Sequence, residues 1–179
     1  MSQPIKQKQP NQYAAHSYTK HFTSMQMLKQ EWCALTQCAG DGIQKVIDID
    51  LSNRILTLEF DASYQPLLYL PKSEANIFNQ LLPKITALIS YCHHKGWIHG
   101  DIKPSNILYH PSSLQVKLID FGASLPIGLN RSSLPYWQCT PSFSSINQQE
   151  GKGKVDTNDD WQGVFKICQQ FFEQCYKTR

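Results

Sequence analysis

The sequence predicts an α+β fold, in which short strands and amphipathic helices occur in irregular order. Apolar residues recur at intervals of three and four over residues 23–37, 73–94 and 161–176, the spacing of one helix face. Residues 44–51 and 54–60 are two runs typical of strands, and the Ser52-Asn53 pair between them favours a hairpin turn. With 41% apolar residues in 179, the chain has enough material for one core and is marginal for two.

Composition excludes several classes of function. The net charge of +3 is small and evenly spread, which argues against a nucleic-acid partner, and 18 glutamines supply much of the polarity. No apolar run approaches the ~20 residues of a membrane span, and the polar N-terminus has no signal-peptide core. The six cysteines form no C-x-x-C pair, so reduced thiols in a cytoplasmic protein are expected.

The first third of the chain contains the predicted strands and one helix. Residues 1–12, with four glutamines and two prolines, are expected to form a loose polar tail. Residues 13–18 fit a short strand, and the helix over 23–37 is expected to end at Gly40-Asp41-Gly42.

Beyond residue 61 the pattern becomes mainly helical. Ser73 is a natural N-cap for the long helix over 73–94. Short apolar runs follow at 107–109 and 116–119. Residues 122–155 are rich in Ser, Pro, Asn, Gln and Gly, and a long irregular segment of this kind is usually functional or disordered.

One motif contains the residues for a specific chemistry. Residues 99–108 read His-Gly-Asp-Ile-Lys-Pro-Ser-Asn-Ile-Leu, and Asp120-Phe121-Gly122 begins twelve positions after Leu108. Phosphoryl transfer needs a carboxylate at the acceptor hydroxyl, a cation near the phosphoryl group, and oxygen ligands for magnesium. In chain order, the residues that meet these needs are Asp101, Lys103, Asn106 and Asp120.

These motifs resemble the catalytic loop and magnesium motif of the protein kinase superfamily. The resemblance implies that Asp101 is the catalytic base, Lys103 the cation at the phosphates, and Asn106 and Asp120 the Mg²⁺ ligands, with ATP as phosphate donor. It also implies a two-lobed protein-kinase-like fold: a reduced N-lobe sheet with one helix over 13–61, and a truncated, mainly helical C-lobe over 62–179. The hinge is expected at the end of the N-lobe.

The resemblance extends to residues around the nucleotide. Glu31 resembles the helix glutamate that pairs with a strand lysine, and Leu58 the residue that guards the back pocket. The backbones of Glu59 and Asp61 would bind the adenine edge, and Leu108 would form the pocket floor. Residues 140–143 resemble the substrate-side loop. Asp159 would tie the catalytic loop from below.

The sequence departs from the family in its first forty residues. No glycine precedes Gly40, so the glycine-rich phosphate loop is expected to be missing. Tyr13-Ala14-Ala15-His16 occupies the place of the family's V-A-I-K, which puts His16 at the lysine position fifteen residues before Glu31. Lys20 lies only eleven residues before Glu31, a separation that we expect to be too short. A protonated His16 beside Glu31 would partly substitute for the lysine.

Two further departures concern the activation segment. Gly100 replaces the arginine that normally pairs with a phosphorylated segment, so switching by phosphorylation there is not expected. Ser145-Ile146-Asn147 replaces the family's Ala-Pro-Glu, whose glutamate normally pairs with an arginine in the last helices. The chain ends at Arg179, before those helices would begin, so both partners of the pair are missing. A trimmed fold is therefore expected.

Three functions remain open from sequence. The first is an ATP- and magnesium-dependent Ser/Thr protein phosphotransferase, since small-molecule kinases of this superfamily usually lack a lysine at the position of Lys103. The second is a pseudokinase that serves as a binding or scaffold module, which the missing lid and His16 favour. The third is a small-molecule kinase whose acceptor pocket would come from residues 122–155.

Two further groups of residues have structural as well as functional interpretations. The cluster Cys92, His93, His94 and His99 is interpreted as packing and hydrogen-bonding groups, in preference to a metal site. The aromatic residues of the last helix are interpreted as core. If they are exposed, they would favour a protein partner or self-association through that helix.

Overall fold

The computed structural model describes residues 16–177, with side chains up to Phe172. Within that range the chain forms a small antiparallel sheet with one helix, followed by a larger, mainly helical part. The predicted tail and most of the predicted strand over 13–18 lie outside the described residues. The lobe boundary at residue 61 stays a prediction.

The small sheet has three strands. They are β1 (Ser17–His21), β2 (Val46–Asp50) and β3 (Ile55–Glu59), in the order β1-β3-β2 with antiparallel pairing throughout. In β3, Leu56 and Leu58 are buried and alternate with less buried neighbours, as expected for a strand with one face on the core. The predicted hairpin is confirmed, although its loop spans four residues rather than two.

Helix α1 (Met25–Gln37) packs beside this sheet. Ser24 caps its N-terminus by accepting a hydrogen bond from the Met27 amide, and Leu28, Glu31, Ala34 and Leu35 form its buried face. Glu31 is a carboxylate on an otherwise apolar face and is fully buried, so it requires a cation nearby.

The larger part is built on two long helices. Helix α2 (Ala75–His94) begins after a 3₁₀ turn over Lys72–Glu74, so Ser73 lies inside that turn and is not the N-cap. Helix α4 (Asn158–Lys177) packs against α2, where the rings of Phe78 and Phe171 stack with centroids 4.1 Å apart. The predicted core role of Phe171 is confirmed, whereas Phe165 is 54% exposed.

Short strand pairs carry the loops of interest. Strands β4 (Gln65–Pro66), β6 (Ile107–Tyr109) and β7 (Val116–Leu118) form one sheet in the order β4-β6-β7. Strands β5 (Trp97–Ile98) and β8 (Leu125–Pro126) form another. Residues 99–106 therefore connect β5 to β6, and Asp120 follows β7. This arrangement brings both motifs to the border between the small sheet and the helices.

The segment from 127 to 157 is largely irregular, as its composition predicts. It contains the short helix α3 (Ile146–Gln149), which Ser145 caps by accepting from the Gln148 amide. Of the helices in residues 16–177, none has the length and apolar character that crossing a membrane requires. The five cysteines with described side chains are free thiols.

Candidate active site

Three charged side chains meet where β1, α1 and the end of β7 come together. The Lys20 ammonium lies 2.8 Å from Glu31 Oε2 and 2.8 Å from Asp120 Oδ1. It also donates a hydrogen bond to Glu31 Oε1 at 3.0 Å. One lysine therefore neutralises the buried helix carboxylate and holds the first residue of the Asp-Phe-Gly motif at the same time.

The prediction that His16 takes the lysine position is wrong. His16 is exposed and precedes β1, and its carbonyl accepts a hydrogen bond from the Phe60 amide. Only three residues separate β1 from α1, so the eleven-residue separation of Lys20 from Glu31 spans the turn without strain. The V-A-I-K pattern therefore falls on residues 17–20.

Burial and neighbouring charges shift the pKa values of these three side chains in opposite directions. Burial raises the pKa of Glu31, and the Lys20 charge offsets that effect only in part. For Asp120, burial also opposes ionisation, but the attraction and hydrogen bond of Lys20 outweigh it and lower its pKa. Burial likewise disfavours the charged form of Lys20, yet the two carboxylates raise its pKa overall. At neutral pH Lys20 is a cation and Asp120 an anion.

The catalytic-loop residues form a second cluster. Lys103 Nζ lies 2.6 Å from Asp101 Oδ2 and donates to the Thr140 hydroxyl at 2.9 Å. The Asn106 amide donates to the Asp101 carbonyl oxygen at 2.9 Å and to Asp101 Oδ2 at 3.1 Å. Asp101 Oδ1 is buried and has no hydrogen-bond partner among the described residues. The carboxylate is therefore fixed through one oxygen, and the other oxygen is left without a partner.

Asp160 holds the catalytic loop from below. Its carboxylate accepts hydrogen bonds from the backbone amides of His99 and Gly100, both at 2.8 Å, and pairs with the His93 ring at 2.8 Å. The prediction named Asp159 for this role and is wrong by one residue. Successive helix residues point about 100° apart, so only one of the two aspartates faces the loop. In the same cluster, the His99 ring lies 3.0 Å from the Ile119 carbonyl oxygen, which ties this loop to the approach to Asp120.

A cleft of about 420 Å³ lies between the small sheet and these loops. The structure brings together in this cleft every predicted nucleotide-site residue except His16. The residues that line it are Lys20, Glu31, Leu58, Glu59, Asp61, Asn106, Leu108 and Asp120. The Glu59 amide donates to the Lys45 carbonyl, and the Glu59 carbonyl accepts from the Gln44 side chain at 3.3 Å. The Glu59 carbonyl keeps a second lone pair. Adenine binding by Glu59 and Asp61 stays a prediction.

Comparison with known proteins bears on this arrangement. The family model of the protein kinase domain matches residues 5–161. The chain belongs to the protein kinase domain family. The kinase domain is 28% identical over 148 residues to "Calcium-dependent protein kinase 5" of Plasmodium berghei, a match that covers 79% of this chain and 26% of that protein.

Viral kinases are also similar to this kinase domain. "Serine/threonine-protein kinase 1" of African swine fever virus is 32% identical over 74 residues, covering 40% of this chain and 25% of that protein. The solved structure of the Cydia pomonella granulovirus kinase PK-1 superposes with a TM-score of 0.70 at 13% identity, covering 87% of this chain and 58% of that one. The kinase domain thus spans about a quarter of the length of the two curated relatives. The structural likeness supports the fold alone.

The structure gives a steric reason for Gly100. Its φ of +81° lies in the left-handed region, and a Cβ at this position would lie 2.3 Å from the Ala123 carbonyl oxygen. In this kinase domain the segment after Asp120 runs so close to the catalytic loop that no arginine fits at residue 100.

A buried ion pair supports the activation segment. The Arg131 guanidinium contacts the Asp159 carboxylate, and both side chains are almost fully buried. Arg131 also donates to the Lys154 carbonyl at 2.8 Å, and the Ser145 hydroxyl donates to Asp159 at 2.7 Å. This pair joins the segment, the start of α3 and the start of α4.

Gln30 is a site residue that sequence reasoning missed. Its side-chain amide donates to the backbone carbonyls of Gly122 at 3.1 Å and Ser124 at 3.2 Å, so α1 holds the Asp-Phe-Gly loop directly. Its position just before Glu31 was visible in the sequence, but its backbone partners lie more than ninety residues away. For Asp160 a signal did exist, since two aspartates stand side by side at the start of the last helix.

Proposed function

We propose that this kinase domain is an ATP- and magnesium-dependent phosphotransferase that acts on Ser/Thr hydroxyls of proteins. The observation that carries the proposal is the double contact of Lys20 with Glu31 and Asp120. Protein kinases require an ion pair between a strand lysine and a helix glutamate, together with an Asp-Phe-Gly aspartate placed to hold Mg²⁺.

The phosphate side of the cleft suits a magnesium nucleotide. Mg²⁺ prefers hard oxygen ligands, and Asp120 and Asn106 offer a carboxylate and an amide oxygen that line the same cleft. When bound there with the phosphates, the ion supplies neutralising charge on the transferring group. Lys20, which is charged at neutral pH and already lies against Asp120, would bind the non-transferred phosphates.

Asp101 is suited to receive the acceptor hydroxyl. Its Oδ2 is occupied by Lys103 and Asn106, whereas its Oδ1 has no partner among the described residues and can accept a hydrogen bond. The acceptor oxygen would attack the terminal phosphorus, the bond from that phosphorus to the bridging oxygen would break, and Asp101 would take the hydroxyl proton. Lys103 would stabilise the negative charge that develops on the transferring group.

The contact of Lys103 with Thr140 supports a protein acceptor. It links the catalytic carboxylate to the loop that resembles the substrate-side loop of the family, so an extended peptide on that loop would lie beside Asp101. Several of the similar curated proteins are serine/threonine kinases by their printed names.

A phosphate-transfer assay tests the proposal. Radiolabelled ATP with Mg²⁺ or Mn²⁺ is incubated with the wild type, Asp101→Asn and Asp41→Asn, and label on the chain and on generic protein substrates is measured. Asp41 is an exposed aspartate outside the cleft and serves as the matched control. We expect Asp101→Asn to lose roughly 10²- to 10⁴-fold in rate and Asp41→Asn to match the wild type.

The alternative functions are distinguished when nucleotide binding and transfer to metabolites are measured beside this assay. Nucleotide binding without transfer would contradict the enzyme assignment and favour a pseudokinase. Transfer to metabolites but not to proteins would favour a small-molecule kinase. Self-association through α4 stays a prediction.

A further inference from the structure

An aromatic ring lines the cleft on the side of the small sheet. Tyr18 lies on β1 two residues before Lys20, and successive side chains of a strand alternate between faces. Tyr18 and Lys20 therefore share a face, and both line the cleft. Tyr18 is 53% exposed, and its strand β1 is an outer strand of the described sheet.

A tyrosine at residue 18 is unusual for the family. With Lys20 at the lysine of V-A-I-K, Tyr18 occupies the alanine position, so an aromatic ring replaces a methyl group. A large aromatic side chain therefore lies at the sheet side of the cleft, where the family has a small one.

Two walls of the cleft define a slot for a flat ligand. Tyr18 and Leu58 are cross-strand neighbours on β1 and β3, both line the cleft, and Leu58 is buried. Leu108 and Ile119 line the cleft from the helical part. The volume of about 420 Å³ is within the range of small-molecule sites.

We propose that Tyr18 forms the upper wall of the base slot and stacks on the nucleotide base, with Leu108 below. The proposal rests on the proposed function, since it assigns a residue to the nucleotide of that reaction. Stacking involves the π-face that every base has and does not depend on the hydrogen-bonding groups at the edge of the base. Tyr18 therefore contributes affinity for the base itself, including that of a nucleoside without phosphates.

Calorimetric titration of four proteins tests the stack. Wild type, Tyr18→Ala, Tyr18→Phe and Tyr69→Ala are each titrated with adenosine, Mg²⁺·ADP and Mg²⁺·pyrophosphate. Tyr69 is a 68% exposed tyrosine outside the cleft and is the matched control. We expect Tyr18→Ala to weaken adenosine and ADP binding by about tenfold or more, the size of one base–aromatic stack. The adenosine and ADP affinities of Tyr18→Phe and Tyr69→Ala should stay within about twofold of the wild-type values, because both variants keep a ring at residue 18. The affinity for pyrophosphate, which has no base, should be equal in all four proteins.

The outcomes separate this proposal from the proposed function. Equal adenosine affinity in the wild type and Tyr18→Ala would overturn the stack while leaving nucleotide binding intact. Tighter binding by Tyr18→Ala would also overturn it, because the ring would then occupy the base slot. A wild type that binds neither Mg²⁺·ADP nor Mg²⁺·pyrophosphate would contradict the proposed function as well.

Discussion

At residue 100, the absence of a side chain determines how closely two functional loops approach. Gly100 donates its amide proton to Asp160 and has a φ of +81°, and the Ala123 carbonyl fills the space in which a Cβ would lie. The arginine typical of the family is therefore excluded by geometry as well as absent from the sequence. The position of the segment after Asp120 does not depend on pairing a phosphate with residue 100.

Alanine substitution at two glycines measures this close approach. Gly96 has nearly the same φ, +82°, but nothing within 4 Å of its added Cβ. We expect Gly96→Ala to lower the free energy of unfolding by about 1 kcal/mol, the cost of the left-handed conformation. Gly100→Ala should cost a further ~1–3 kcal/mol because its Cβ overlaps the Ala123 carbonyl. Urea denaturation measures both, and equal losses would contradict the close approach.

The raised pKa of Glu31 predicts a pH dependence of stability. A group whose pKa in the folded protein exceeds its ordinary value of 4.5 binds its proton more tightly when folded. Its stabilising contribution is therefore complete below pH 4.5 and is lost as the pH rises through the folded-state pKa. Asp120 does not contribute to the change in stability above pH 4.5, because its lowered pKa keeps it ionised there.

Glu31→Gln isolates this effect. The variant has no carboxylate to ionise at residue 31, so its stability should improve relative to the wild type as the pH rises from below 4.5 towards neutrality. Urea denaturation of both proteins across that range measures the difference. A difference that stays constant, or that moves in favour of the wild type, would contradict the raised pKa.

At the scale of elements, helix α1 connects the small sheet to the Asp-Phe-Gly loop. Glu31 binds the β1 lysine, and the neighbouring Gln30 binds two carbonyls of the loop. Two consecutive residues therefore fix the helix in the position that brings Lys20 to Asp120. The buried residues Leu28, Ala34 and Leu35 add apolar packing to these polar contacts of the helix.

Removal of the Gln30 amide tests this positioning role. We expect Gln30→Ala to lower the phosphate-transfer rate about tenfold and to raise the Mg²⁺ concentration needed for half-maximal rate, while stability falls by only about 1 kcal/mol. Gln26→Ala, an exposed glutamine one turn earlier on α1, is the control and should match the wild type. An unchanged magnesium dependence in Gln30→Ala would show that the residue is merely structural.

The elements differ in how well the sequence predicts them. Helices α1, α2 and α4 and strand β3 follow from local periodicity, because their buried faces repeat at the helix or strand spacing. Strand β2 follows from its short apolar run beside a turn signal. The catalytic loop follows from a motif whose residues lie within eight positions of one another, 99–106. The start of α2 was misplaced because a 3₁₀ turn over Lys72–Glu74 precedes it.

Contacts between distant residues were not predictable in this way. Lys20 and Asp120 are one hundred residues apart, and the choice between His16 and Lys20 depended on the length of the turn between β1 and α1. Asp159 and Asp160 are chemically identical, so only the helix start at Asn158 decides which of them faces the catalytic loop. The burial of Arg131 against Asp159 has no local signature.

At the scale of the whole molecule, two charged clusters border one cleft. One cluster consists of Lys20, Glu31 and Asp120, and the other of Asp101, Lys103, Asn106 and Thr140. In the proposed function, the first would face the nucleotide and the second the acceptor. The His99 ring, bound to the Ile119 carbonyl, links the two sides at their base. In the proposed function, Lys20 completes the nucleotide site of this kinase domain.

Calorimetric titration of wild type, Lys20→Ala and His16→Ala with Mg²⁺·ATP tests this role of Lys20. Each protein's thermal unfolding without nucleotide is recorded as a check on folding, since Lys20→Ala leaves the buried Glu31 without its cation. We predict that the wild type binds, that His16→Ala binds equally well, and that Lys20→Ala binds roughly 10- to 100-fold more weakly, the value of a charge-assisted contact. Unchanged affinity in a folded Lys20→Ala, or loss of affinity in His16→Ala, would contradict the assignment of the nucleotide lysine to Lys20.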